Sequence, residues 1–87
     1  MTAEERLSEL GIELPAPPTP MASYVPAVRT GSLLWIAGQP PGPGWRGHVG
    51  REYSVEQGQQ AARAAGLNIL AQVRKATGSL DRVVKVV

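Results

Sequence analysis

The stretch Leu33-Leu34-Trp35-Ile36-Ala37-Gly38-Gln39-Pro40 decides how this chain folds. Its run of four large apolar residues predicts a strand that is buried on both faces or lies on a subunit interface. Residues 38–50 hold five Gly and three Pro, a composition that disfavours regular structure. We therefore expect the strand to end in a long loop, and loops of this kind often carry binding sites.

The residues before this run predict a second strand that pairs with it. Ser23–Arg29 favours a strand, but Pro26 has no N–H group for a sheet hydrogen bond, so we expect an edge position or a bulge. Thr30-Gly31-Ser32 predicts a tight turn in which Gly31 takes a positive φ. The two strands are therefore expected to form an antiparallel hairpin.

Two capping-box patterns predict helix starts. Thr2-Ala3-Glu4-Glu5 begins a short helix, which Gly11 is placed to end. Ser54-Val55-Glu56-Gln57 begins a long helix that reaches Thr77 and is about 36 Å long at the usual rise per residue. Gly78 is expected to end this helix in a left-handed conformation.

The long helix is expected to pack across the sheet, since its first half is rich in small residues that allow a close approach to another backbone. Its apolar stripe is predicted to comprise Ala61, Ala62, Ala65, Ile69, Val73 and Ala76. After a tight connection, the apolar segment Val83–Val87 predicts a further strand.

The organisation of the chain follows from these elements and from its prolines. Residues 1–14 form a helical segment, residues 15–22 a Pro-rich linker, and residues 23–87 the main part of the domain. The linker is expected to run extended as a spacer, either free or lying along the domain, because proline lacks the N–H group that helices and central strands require. A ligand for an SH3-type domain is the less favoured interpretation of the same segment.

Length and composition exclude several classes of protein. A chain of 87 residues has room for one small domain, and without Cys it has neither disulfides nor thiolate metal ligands. Oligomerisation is the remaining source of extra stability. The net charge of +2 comes from scattered basic residues, which favours a solvated surface over a nucleic-acid interface. We find no apolar run long enough to span a membrane and no signal peptide, so we expect a cytoplasmic protein.

These residues resemble the RidA/YjgF family. No single segment is specific to the family, but their order and spacing over roughly sixty residues are. The similar segments are Ser-Tyr-Val-Pro-Ala-Val-Arg-Thr-Gly, Leu-Leu-Trp-Ile-Ala-Gly-Gln-Pro, Gly-His-Val-Gly, Ala-Ala-Arg-Ala-Ala-Gly-Leu-Asn and Gly-Ser-Leu-Asp-Arg-Val-Val-Lys-Val.

The resemblance implies an α/β (α+β) fold of the chorismate-mutase-like type, present here as its N-terminal part: a short helix, a β-hairpin, a long helix and a strand. It also implies a homotrimer with pockets in the clefts between subunits. Members of the family hydrolyse enamine and 2-imino acid intermediates to 2-oxo acids and ammonia, without a metal or a cofactor. We therefore expect an imino or 2-oxo acid as the ligand of an intersubunit cleft.

The resemblance assigns substrate binding to four positions: Tyr24, Ala37, Gly38 and Gln39. The residues themselves allow plainer interpretations. Tyr24 is equally well explained as a half-buried aromatic residue on an edge strand. Gly38 is more simply explained as a backbone bend that needs no Cβ, and Gln39 as a side chain that satisfies loop backbone groups.

Two differences from the family argue against deaminase activity in this chain. Active deaminases have Ser where this chain has Ala37, which offers no hydroxyl group. The family's carboxylate-binding Arg and water-associated Glu lie in a second half that has no counterpart here, so no catalytic residue is assigned. We therefore expect a fragment that is inactive by itself, or alternatively a non-catalytic small-molecule-binding or structural trimer-forming domain. RNA cleavage ranks last, because no general acid and base can be named.

The long loop holds three further residues of interest. His48 is the only histidine and has no second histidine or cysteine nearby to complete a metal site, so it is expected to face solvent. Trp45 and Arg46 would form a lid over a pocket or be exposed loop residues, and the sequence does not separate these alternatives. Asn68 on the long helix is expected to hydrogen-bond to a neighbouring segment.

Overall fold

The computed structural model describes all 87 residues and contains two α-helices, a two-stranded sheet and a short 3-10 helix. In chain order these are α1 (Ala3–Glu9), β1 (Ala27–Thr30), β2 (Leu33–Ile36), α2 (Val55–Thr77) and the 3-10 helix Leu80–Arg82. The hairpin packs against α2, and the 3-10 helix lies between α1 and α2. The predicted α+β fold class is therefore confirmed, with the short helix, hairpin and long helix in the expected order.

Both helices begin at the predicted capping boxes. Thr2 Oγ1 accepts a hydrogen bond from the backbone N–H of Glu5 at 3.2 Å, and the Glu5 carboxylate accepts one from the backbone N–H of Thr2 at 3.3 Å. Ser54 and Gln57 form the same reciprocal pair at the start of α2, at 3.2 and 2.9 Å. Gly78 ends α2 with φ +87°, where a side chain would be strained.

The hairpin is antiparallel, and its register pairs Thr30 with Leu33. This register leaves a two-residue turn in which Gly31 takes the predicted positive φ, +60°. The first strand is shorter than the predicted Ser23–Arg29, because it begins only after Pro26. Pro26 still accepts a hydrogen bond from the N–H of Ala37 at 2.9 Å, so the ladder ends where proline has no donor to offer.

The strand Leu33–Ile36 is not buried on both faces within this chain. Leu34 and Ile36 are half-buried, whereas Leu33 and Trp35 are exposed, Trp35 at 63% of its surface. Val28 pairs with Trp35 and is exposed as well. The prediction that both faces of this strand are buried is therefore wrong within this chain. The alternative, that the strand lies on a subunit interface, stays a prediction.

The face of α2 that packs against the rest of the chain carries two amides. Its buried residues are Asn68, Ala71 and Gln72. Three of the six residues predicted for the apolar stripe are exposed, so the predicted buried face is wrong. They are Ala62, Ile69 and Ala76. Apolar periodicity misplaced the stripe because polar side chains with hydrogen-bond partners occupy the buried face. Neither α2, with 23 residues, nor the shorter α1 has the length and apolar content needed to cross a lipid bilayer.

The predicted C-terminal strand does not form. Val83 has extended backbone angles, φ −75° and ψ 124°, but the sheet consists only of β1 and β2, so residues 83–87 have no strand to pair with. An extended segment becomes a strand only when a neighbour completes its hydrogen-bond ladder.

The chain packs less tightly than a complete domain of its size. It exposes 6666 Å² to solvent, whereas a compact protein of 9.2 kDa exposes about 4,900 Å². Ala71 and Leu80 are the only buried apolar residues, and the outer face of the hairpin is uncovered. Exposed apolar surface on this scale is typical of a face that another protein surface covers.

Candidate ligand groove

A groove with a volume of about 460 Å³ lies beside the end of β2. The proline-rich segment Pro18–Met21, together with Tyr24 and Pro26, forms one side, and residues from the loop Gly38–Arg46 form the other. Asn68 of α2 also lines it. We call this feature the ligand groove, because its volume suits a small organic molecule.

Three of the four predicted substrate-binding residues meet in the ligand groove. Tyr24, Gly38 and Gln39 line it, although Tyr24 is distant from the other two in sequence. Ala37 does not line it, and its backbone N–H instead bonds to Pro26 in the hairpin. The substrate-binding role of these residues stays a prediction.

The structure does not support the plainer interpretation of Gly38. Its φ is not positive, and an added Cβ would meet no atom within 4 Å. The fold of this chain therefore does not require glycine at this position. A Cβ here would instead reduce the free space beside the groove.

An amide network fixes both sides of the groove to α2. Gln72, only 2% exposed, donates to the Pro18 carbonyl at 2.8 Å and to Gln39 Oε1 at 3.3 Å. Gln39 donates in turn to the Ala37 carbonyl at 3.2 Å, so it does satisfy a loop backbone group. Asn68 donates to the Pro40 carbonyl at 2.9 Å, which confirms the bond expected for this residue.

Gln72 and the proline-rich segment belong to the site, although the sequence pattern did not predict it. The segment was expected to be a spacer, yet it forms one side of the groove because Gln72 holds the Pro18 carbonyl. The sequence does contain a signal for the role of Gln72. Asn68 and Gln72 lie one helical turn apart among apolar residues, a spacing that places both amides on one face of a helix.

Tyr53 anchors the far end of the loop. Its hydroxyl group donates to the Gly44 carbonyl at 3.0 Å and accepts from the backbone N–H of Arg46 at 3.1 Å. The Trp45 ring packs against the Tyr53 ring, with centroids 5.5 Å apart and planes inclined by 44°. Because Tyr53 directly precedes the cap of α2, these contacts fix Trp45 and Arg46 at the groove.

Arg46 is the only charged residue that lines the groove. His48 lies outside the lining and is exposed, as predicted, with Nδ1 3.9 Å from a carboxylate oxygen of Glu52. No group of three or more His, Cys, Asp or Glu side chains is placed to bind a metal ion. The groove therefore offers neutral donors and one guanidinium group, but no carboxylate or imidazole.

A second concave surface, the apolar cleft, separates α1 from α2 and has a volume of about 240 Å³. Leu7, Leu70 and Leu80 line it. Beside it, Glu4 accepts hydrogen bonds from Arg74 at 2.6 and 3.2 Å and from the backbone N–H of Leu80 at 2.8 Å. The bonds from Arg74 are the main reason, and that from Leu80 the next, why the pKa of Glu4 is lowered.

Comparison with known proteins places these features in a family. Residues 4–87 match the family model described as "YjgF/chorismate_mutase-like, putative endoribonuclease". A curated relative from Trypanosoma cruzi, Protein TCP17, is 42% identical over 85 residues, which cover 93% of this chain and 53% of that protein.

Two solved structures share the fold. A "putative endoribonuclease" from Shewanella oneidensis MR-1 superposes with a TM-score of 0.87 and 37% identity, covering 94% of this chain and 57% of that one. A protein of unknown function from Agrobacterium tumefaciens gives a TM-score of 0.70 and 42% identity, covering 86% of this chain and 47% of that one. The chain thus spans about half the length of these relatives.

Proposed function

This chain belongs to the YjgF/chorismate-mutase-like family, and from that premise we propose that the ligand groove is one side of a pocket for a small imino or 2-oxo acid. In the complete pocket, water replaces the imino nitrogen of the substrate, releasing a 2-oxo acid and ammonia. We further propose that the pocket is completed at a contact between subunits of a homotrimer.

The observation that carries this proposal is the meeting of Tyr24, Gly38 and Gln39 in one groove. The family resemblance assigns these same three positions to substrate binding.

The proposed reaction needs groups that the groove does not contain. Hydrolysis of an imine requires a group that activates water, and none of the lining residues is Asp, Glu or His. A second surface must therefore supply it. The exposed apolar face formed by Val28, Leu33 and Trp35 is suited to such a contact, since burying it would remove apolar surface from water.

A second candidate is a non-catalytic binding or structural trimer-forming domain. The lack of an acid or base in the groove favours it. The family resemblance also favours it, because active deaminases have Ser where this chain has Ala37. Cleavage of RNA, which the names of the family and of the Shewanella relative mention, would need both a general acid and a general base.

An activity assay separates the two candidates. 2-Iminobutanoate is generated enzymatically from threonine, and the rate of 2-oxobutanoate release is measured with this chain, with the longer Shewanella relative and with buffer alone. The deaminase proposal expects acceleration by the relative and a rate equal to buffer for this chain. If neither protein accelerates release, the deaminase proposal is rejected in favour of the binding or structural candidate.

A further inference from the structure

The short helix α1 is attached to the rest of the chain mainly by polar contacts. None of its residues is buried, and its backbone approaches that of the 3-10 helix but not that of α2. The apolar cleft, about 240 Å³ in volume, separates the two α-helices. Leu7 lines this cleft but is only half-buried. Apolar packing therefore contributes little to the docking of α1.

The polar contacts of α1 converge on Glu4. Its carboxylate accepts two hydrogen bonds from Arg74 of α2 and one from the backbone N–H of Leu80. In the other direction, the backbone N–H of Glu4 donates to a carboxylate oxygen of Asp81 at 2.9 Å. No other hydrogen bond joins residues 1–12 to the rest of the chain. We call these contacts of Glu4 the Glu4 clamp.

The segment that follows α1 is sparsely attached as well. Between residues 13 and 25, the only hydrogen bond to the rest of the chain is the one that Gln72 donates to the Pro18 carbonyl. The prolines of this segment have no N–H groups with which to form others. Gln72 and Arg74 lie two residues apart on α2, so the same helix holds residues 4–18 at both ends.

From this arrangement we propose that α1 is a latch for the ligand groove. While the Glu4 clamp is closed, residues 4–18 are held at both ends, and Pro18–Met21 form one side of the groove. When the clamp opens, α1 detaches and unfolds, because isolated helices shorter than about 12 residues are marginal in water and α1 has seven.

Opening of the latch changes the groove without unfolding the chain. Pro18–Met21 then depend on the single hydrogen bond from Gln72, so this side of the groove becomes mobile. The hairpin packs against α2 without any contact from α1, so both stay folded. The latch is a property of the fold and does not depend on the reaction proposed above.

NMR of the ¹⁵N-labelled chain tests the latch with two variants and two controls. Glu4→Ala and Arg74→Ala remove the two sides of the ion pair, and alanine is the best helix former. The first control is Glu9→Ala, whose carboxylate pairs only within α1. The second is Arg63→Ala, which removes an exposed arginine of α2 that forms no ion pair.

Two readouts are compared among these proteins. Secondary chemical shifts report whether residues 3–9 are helical, and ¹⁵N relaxation reports fast motion of the Thr19 and Met21 amides. We expect Glu4→Ala to lose the helical shifts of α1 and to make these two amides mobile, while α2 and the hairpin keep their shifts. The controls should match the original chain.

The variants should also be non-additive. Arg74→Ala leaves the bond from Leu80 in place and should lose part of the helical shifts, and the double variant should lose no more than Glu4→Ala, because both remove the same contact. The inference is overturned if α1 stays helical in Glu4→Ala, if Thr19 and Met21 stay as ordered as in the original chain, or if α2 and the hairpin unfold together with α1.

Hydrogen exchange of the original chain provides a second test that needs no substitution. The amides of Arg6 and Leu10 donate to carbonyl groups of the α1 region at 3.0 Å. Because the latch opens without global unfolding, these amides should exchange faster than those at the centre of α2. Exchange of both groups at one common rate would show that α1 opens only when the whole chain unfolds, and would overturn the inference.

Discussion

Replacing Gln72 with Met tests the network that holds the groove together. Methionine has nearly the volume and helix propensity of glutamine but cannot donate to the Pro18 carbonyl or to Gln39. The substitution leaves a half-buried carbonyl without its partner at 2.8 Å. Losing a buried donor in this way costs about 1–3 kcal/mol. Because water can partly reach Pro18, we expect a decrease of about 2 kcal/mol in the free energy of unfolding.

Urea unfolding followed by circular dichroism measures this decrease. With a slope of about 1 kcal/mol/M, at the low end for small proteins, the midpoint should fall by about 2 M. The matched control is Gln60→Met, on the exposed side of α2, where the same change of side chain removes no buried hydrogen bond. If the two variants unfold within about 0.5 kcal/mol of each other, as surface substitutions do, the network does not hold the proline-rich segment.

Three further substitutions test the contacts and the composition of the helices. The pKa of Glu4 is held below its ordinary value of 4.5, chiefly by Arg74. The ionised Glu4 carboxylate therefore stabilises the fold fully above pH 4.5, and this stabilisation is lost as the pH falls through the lowered pKa. In urea unfolding at several pH values, the free energy of unfolding of Glu4→Gln should therefore fall less at acid pH than that of the original chain. Gly66→Ala should stabilise the chain by about 1 kcal/mol in urea, since its Cβ meets no atom within 4 Å. Gly58→Ala should gain less or destabilise, because its Cβ would lie 2.7 Å from Val49.

Local signals in the sequence predicted much of the fold. Thr2 and Ser54 begin the two helices as expected, since a capping box needs only residues within one helical turn. Gly31 and Gly78 take the positive φ values that their turn and helix end require. The position of Pro26 also predicted that the first strand would be restricted, although not that it would begin only after this residue.

Features that depend on distant partners were predicted less well. Val83–Val87 has the composition of a strand, but a strand needs a neighbour that this chain does not provide. The buried face of α2 was misplaced because Asn68 and Gln72 are polar, and only the carbonyl groups they meet explain their burial. The proline-rich side of the groove was not predicted for the same reason, since a proline-rich segment has no apolar periodicity that indicates where it packs.

The residues of the candidate site were likewise predicted only in part. The resemblance named Tyr24, Gly38 and Gln39, and the structure brings them to one groove. It also named Ala37, whose place in the hairpin lies outside the lining. Arg46 lines the groove and is also exposed, so the two alternatives for this residue stay open. The bond from its backbone N–H to Tyr53, seven residues further along the chain, could not be predicted from the sequence.

We propose above that a small acid binds between the proline-rich segment and the loop after β2. A chemical-shift map of the ¹⁵N-labelled chain with 2-oxobutanoate tests this claim directly. We expect the largest shifts at the backbone amides of Gly38 and Gln39 and at the Trp45 indole. Shifts confined to Leu7 and Leu70, beside the apolar cleft, or no shifts at all would contradict it.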